Sequence, residues 1–119
     1  MRVVVKTTPQ AALDETPVCQ HFQEAADLIG KRWTPQIVRA LQVEGGLRFC
    51  RLREAAAPIS DALLSTRLKE LEREGIIERT VSPTTPVLIT YALTPDGQEL
   101  GIVMASLATW AEARGRAAT

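Results

Sequence analysis

The chain has 119 residues, 45% of them hydrophobic, enough for one compact domain around a single core. Its 14 basic residues balance 14 acidic ones, so no chain-wide positive charge announces a nucleic-acid partner. No run approaches the ~18 apolar residues of a membrane span, the start lacks the apolar segment and cleavage site of a secretory signal, and two cysteines make no disulfide framework, so a cytoplasmic protein is expected.

Residues 1–15 read as an N-terminal arm in which Val3 to Val5 fit a short strand, residues 16–114 as the domain, and 115–119 as a tail. Thr-Pro pairs then punctuate the chain, because threonine caps a helix while proline suits its first turn. Thr16-Pro17 predicts the start of a first helix running to Ile29, with Phe22, Ala25, Ala26 and Ile29 at helical spacing and Gly30 as its stop. Thr34-Pro35 predicts a second helix with Ile37, Val38 and Leu41 inward, ended by Gly45-Gly46. Leu47 to Phe49 reads as an extended link, and about Phe49 to Ala56 as a short third helix closed by Pro58. Ser60 caps a fourth helix that ends at Gly75, with Asp61 favourably placed at its positive end. Ile76 to Val81 and Val87 to Leu93 read as strands joined by the turn Ser82-Pro83-Thr84-Thr85-Pro86. Thr94-Pro95 opens a last helix to about Arg114, with Leu100, Val103, Met104, Leu107 and Trp110 along one stripe.

Helix, glycine stop and two-stranded hairpin in that order are the core of a winged helix-turn-helix, a mainly α (α+β) fold. On the fourth helix, Leu64, Leu68 and Leu71 share one face, with Leu63 at its margin. The opposite face carries Ala62, Ser65, Thr66, Lys69 and Arg73, small and hydroxyl residues beside cations, which suits entry into a DNA major groove. Arg67 falls on the flank, its guanidinium expected to reach backbone phosphate. Arg48, Arg51 and Arg53 form a local basic run, and Arg79 and Thr80 offer phosphate contacts from the strand base. A solvated amphipathic helix would show a polar face as well, so the order of the surrounding elements carries the reading.

Several motifs occur together at fitting spacing: Cys19; Gly30-Lys31-Arg32-Trp33-Thr34; Arg48-Phe49-Cys50-Arg51-Leu52; Ile59 through Gly75; and Tyr91-Ala92-Leu93-Thr94-Pro95-Asp96-Gly97. Over about residues 19–112 the chain resembles the HxlR-type winged-helix transcriptional regulators. The resemblance implies a homodimer whose terminal helix, with Leu100, Val103, Met104, Leu107 and Trp110, joins helix one in the two-fold interface. It also implies a pseudo-palindromic operator and repression as the commoner mode, and the candidate DNA contacts read from the residues are Lys31, Arg48, Arg51, Ser60, Ala62, Ser65, Thr66, Arg67, Lys69, Arg79 and Thr80. In some members the cysteine matching Cys19 senses oxidants, quinones or aldehydes. Two departures stand out. Pro86-Val87-Leu88-Ile89-Thr90-Tyr91 lacks the basic residue and glutamate usual in the wing, and Ala62 replaces a longer polar side chain.

Cys19 is expected in the first turn of helix one, the end of a helix that attracts negative charge, either as an oxidant or electrophile sensor or as a small core filler; the same pair of readings applies to Cys50. Trp33 reads as a core anchor, with Lys31 and Arg32 either on DNA backbone or at a solvated helix end. His21, the single histidine, has no partners at metal-ligand spacing, and no metal or cofactor is expected. No phosphate loop or activated nucleophile is present, which argues against an enzyme. The stronger rival is a winged-helix module that binds protein without specific DNA binding.

Overall fold

The computed structural model describes residues 18–118. The arm, the strand at Val3 to Val5 and the Thr16-Pro17 helix start lie outside the described residues. The chain divides into a unit ending at Lys31 and a unit beginning at Arg32. The first holds helix α1 (Gln20–Ile29). Cys19 is its cap rather than a first-turn residue, the thiol sulfur accepting the Phe22 N–H at 3.4 Å. Phe22, Ala25, Ala26 and Ile29 all lie on this helix, as their spacing predicts.

The second unit runs α2 (Thr34–Glu44), β1 (Leu47–Arg48), α3 (Phe49–Ala55), α4 (Asp61–Arg73), β2 (Ile77–Ser82), β3 (Leu88–Leu93) and α5 (Pro95–Ala118). α2 buries Ile37, Val38 and Leu41 as its spacing predicts. Its start differs: Thr34 is already helical and buried, and the capping position falls to Trp33 at φ 79°, a left-handed conformation rare for a bulky residue. Local contacts hold it there. The Arg32 guanidinium lies 5.0 Å above the Trp33 ring, and the Arg32 carbonyl accepts a 2.9 Å hydrogen bond from Arg67 Nε on α4.

α4 follows its pattern closely. Ser60 Oγ accepts the Leu63 N–H at 3.1 Å, Asp61 occupies the first turn, and Leu64, Leu68 and Leu71 are buried. Each such leucine stabilises by about 1.5–3 kcal/mol relative to an exposed one. Gly75 supplies the positive φ (+77°) that turns the chain from α4 into β2.

β2 and β3 form the antiparallel wing, Ile77 opposite Leu93 and Ser82 opposite Leu88. Leu47–Arg48, expected as a link, pairs with Tyr91 and Thr90 and makes the sheet three-stranded in the order β1-β3-β2. Two residues are too few to show a strand period, which is why the sequence hides this strand.

Thr94 then ties the sheet to α5. Its Oγ1 accepts the Gly97 N–H at 3.0 Å and donates to the Gly75 carbonyl at 2.5 Å. Gly97 is obligatory: a Cβ there would stand 2.0 Å from the Ile76 carbonyl oxygen. Farther along, α5 approaches α2 at Gly101, where a Cβ would meet Gln42 at 3.1 Å. The helix continues past Arg114 to Ala118.

Candidate nucleic-acid interface

α4 is the centre of the site. Its buried leucines orient the opposite face outward, where Ala62, Thr66, Lys69 and Arg73 are exposed and Ser65 is half-buried. No acidic residue shares these five positions. Thr66 Oγ1 donates to the Ala62 carbonyl at 3.0 Å, and its lone pairs stay open to a donor. Ser60 spends its hydroxyl oxygen on the helix cap, so its expected DNA contact would come alongside a structural duty.

Arg67 corrects the sequence expectation. Its side chain is only 16% exposed, and the guanidinium donates to the Arg32 carbonyl at 2.9 Å and to Glu70 at 3.2 Å. The stem packs as expected, but the charged end turns back onto its own fold. It clamps α4 to the corner before α2 instead of reaching outward.

The basic run on α3 is differently disposed. Arg48 is the exposed residue that precedes the helix. Arg51 is exposed and pairs with Glu54 at 2.9 Å and with Glu44 at 3.8 Å. Arg53 was not among the expected DNA contacts, yet its Nη1 donates to Asp61 Oδ1 at 3.0 Å and Oδ2 at 3.3 Å, joining α3 to the start of α4. The hydrogen bond to Asp61, and then the charge of that carboxylate, raise the pKa of Arg53. A contact between two different helices leaves no periodic trace in sequence.

The sheet separates two expected partners. Thr80 lies opposite Thr90, which also faces Arg48 across β1, whereas Arg79 lies opposite Tyr91. Adjacent strand residues point to opposite faces, so Arg48 and Thr80 share one face and Arg79 takes the other. At the wing tip Thr84 Oγ1 donates to the Pro86 carbonyl at 2.6 Å, and residues 83–87 carry no cation. Lys31 is exposed, in the unit that holds α1.

Both cysteines are free and exposed, so neither is the core filler that small size allowed. On α5, Met104 is buried in its own chain and leaves the expected dimer stripe, because the helix packs that side on α2. Val103 (54%), Leu107 (45%) and Trp110 (59%) remain exposed, as does Ile102 (64%), which the sequence stripe omitted. Among the described residues no group of acids, histidine and cysteines could hold a metal, and no helix is long and apolar enough to cross a membrane.

Known proteins share this arrangement. The model of the HxlR-like helix-turn-helix family matches residues 28–118. The HTH-type transcriptional regulator YvaP of Bacillus subtilis is 39% identical over 83% of this chain and 91% of its own length. YodB of the same organism, also an HTH-type transcriptional regulator, is 40% identical over 80% of this chain and 84% of its own. The solved reduced form of YodB superposes with a TM-score of 0.71, covering 80% of this chain and 92% of that one. The oxidised redox regulator HypR does so with a TM-score of 0.71 at 29% identity, covering 78% of this chain and 95% of that one. With the winged helix-turn-helix in place and the match spanning the described domain, the chain belongs to the HxlR-like helix-turn-helix family, whose members are transcriptional regulators and not enzymes.

Proposed function

We propose that the protein is a homodimeric, sequence-specific DNA-binding repressor that recognises a pseudo-palindromic operator and responds to oxidants or electrophiles through Cys19. The observation that carries the DNA reading is the outward face of α4, five positions with Lys69 and Arg73 and no acid, on a helix held by a serine cap and buried leucines. Ala62, Ser65 and Thr66 are short enough to let base edges approach, and Lys69 neutralises phosphate. Arg48, Arg51 and Thr80 extend contact to the backbone on either side. A dimer would present two such helices to half-sites ~34–36 Å apart.

Dimerisation is supported by the exposed Val103, Leu107 and Trp110 on α5 and by Phe22, 62% exposed on α1. Apolar side chains clustered on one exposed helix face commonly mark a protein interface. The sensor reading is supported by the exposure of Cys19 and by its place at a helix N-terminus, which favours anionic sulfur. YodB has been solved in diamide-treated and quinone-bound forms, at 37% and 36% identity.

The test is a footprint of reduced protein on the DNA flanking its own gene, with Lys69→Ala as control. A protected two-fold site lost in that variant is expected. A second reading, a module that binds protein without specific DNA recognition, is favoured by the wing tip without cations. Absence of protection from a folded dimer at low salt would put that reading first, since a DNA binder gains affinity as salt falls.

A further inference from the structure

Asp61 is the acid of the first turn of α4, and its side chain is 63% exposed. The N-terminal residues of the second helix of a helix-turn-helix are those that reach base edges. A carboxylate at that place is repelled by DNA phosphates unless a cation offsets it and a base donor meets it. Its place at the positive helix end adds a little to stability, and the other folding roles add less. Ser60 already caps the helix, and an ion pair this exposed adds little stability.

The first condition is met within the fold. Arg53 Nη1 donates to both carboxylate oxygens, at 3.0 and 3.3 Å, so the carboxylate is oriented and its charge offset. One shared donor leaves further lone pairs on both oxygens as acceptors. The neighbouring Ala62 has no side chain long enough to hold a base away.

The second condition selects a base. In the major groove only the amino groups of cytosine and adenine donate. Adenine sets the N7 acceptor beside its amino group, which opposes a carboxylate, whereas cytosine presents the amino donor without that acceptor. We propose that Asp61 reads the amino group of a cytosine in each operator half-site, with Arg53 as the positioning residue that fixes and offsets its carboxylate. This assignment rests on the DNA-binding reading above and adds to it the base recognised.

The test is enrichment of bound sequences from a randomised duplex pool by the wild type, Asp61→Asn, Asp61→Ala and Arg53→Gln. The wild type should enrich a two-fold site with cytosine favoured about tenfold at one half-site position. Asp61→Asn should turn that position to adenine, because an amide accepts from the amino group and donates to N7. Asp61→Ala should erase the preference there, and Arg53→Gln should weaken it while the rest of the site is kept. Identical preferences for wild type and both Asp61 variants would overturn the assignment, as would a changed position whose wild-type base is not cytosine. If the folded wild type enriched no sequence, the DNA reading itself would fall, and this inference with it.

Discussion

Replacing Arg67 with methionine separates a clamp from a DNA contact. The substitution keeps an apolar stem and removes the guanidinium that bonds the Arg32 carbonyl at 2.9 Å and Glu70 at 3.2 Å. A hydrogen bond from a charged donor contributes about 1.5–3 kcal/mol. The ion pair is only 16% and 21% exposed at its two side chains, so solvent screens it incompletely and it adds a fraction of a kcal/mol. The sum predicts a loss of about 2 kcal/mol, or roughly 5–10 °C in Tm for a domain of this size. Urea and thermal unfolding followed by tryptophan emission measure it, and in a Trp110→Phe background the remaining Trp33 at the clamped corner makes the signal local. Binding to duplex DNA as a function of salt supplies the second reading. A phosphate contact contributes about 0.9 to the slope of log affinity against log salt. Arg67→Met should leave that slope unchanged, while Lys69→Ala should lower it by about 0.9. A variant of wild-type stability with the slope reduced would show that Arg67 leaves its partners to bind phosphate, and the clamp would be refuted.

Gly97→Ala should destabilise by about 3 kcal/mol in urea unfolding, because its Cβ would fall 2.0 Å from a backbone oxygen that cannot yield. Leu107→Lys should convert the proposed dimer to a monomer in sedimentation without loss of helical circular dichroism, since the side chain is 45% exposed within its own chain. A dimer of unchanged strength would remove the α5 face from the interface. Cys19→Ser should abolish the effect of diamide or a quinone on DNA affinity and keep the reduced affinity, whereas Cys50→Ser should keep the response.

Most elements of the second unit could be read from sequence because they are announced locally. Ser60 and Thr94 cap helices through their own hydroxyls, the α4 leucines repeat at helical spacing, and Gly45 and Gly75 take the positive φ that ends α2 and α4. What stayed hidden depends on residues distant in the chain. Leu47–Arg48 becomes a strand only because β3 lies beside it. Arg67 turns inward because the carbonyl of Arg32, 35 residues earlier, is waiting there. Met104 left the exposed stripe for the same kind of reason, since helical spacing places residues on faces without saying which face α2 will cover. The start of α2 failed differently. Thr34-Pro35 resembles a cap and first helical residue, but the clamp on Arg32 and the ring contact at Trp33 hold a left-handed turn that moves the cap back by one residue.

The zero net charge also finds a physical place in this arrangement. Charges separated by more than a Debye length, about 8 Å at physiological salt, barely sense one another at an exposed surface, so the chain-wide sum says little about one helix face. Three of the acids near the candidate interface are paired with cations. Glu54 faces Arg51, Asp61 faces Arg53 and Glu70 faces Arg67. Each pairing offsets a negative charge that would otherwise repel phosphate, while the exposed Glu72 on the flank of α4 opposes the outward cations Lys69 and Arg73. On the proposed reading such a surface would make few phosphate contacts, and its general affinity would be low. On the proposed reading its selectivity would rest on the outward positions Ala62, Ser65 and Thr66 and on Asp61 at the start of α4. A strongly basic relative would hold any duplex first and discriminate second; here the base contacts have to supply a larger share of the binding energy. The expected consequence is a shallow salt dependence together with a steep penalty for a single wrong base pair, about 1–3 kcal/mol each. Competition between the enriched site, its single-base variants and unrelated duplex measures both quantities in one titration. A steep salt slope with near-equal affinity for all three would show that phosphates carry the binding and that the neutralised acids play no part in it.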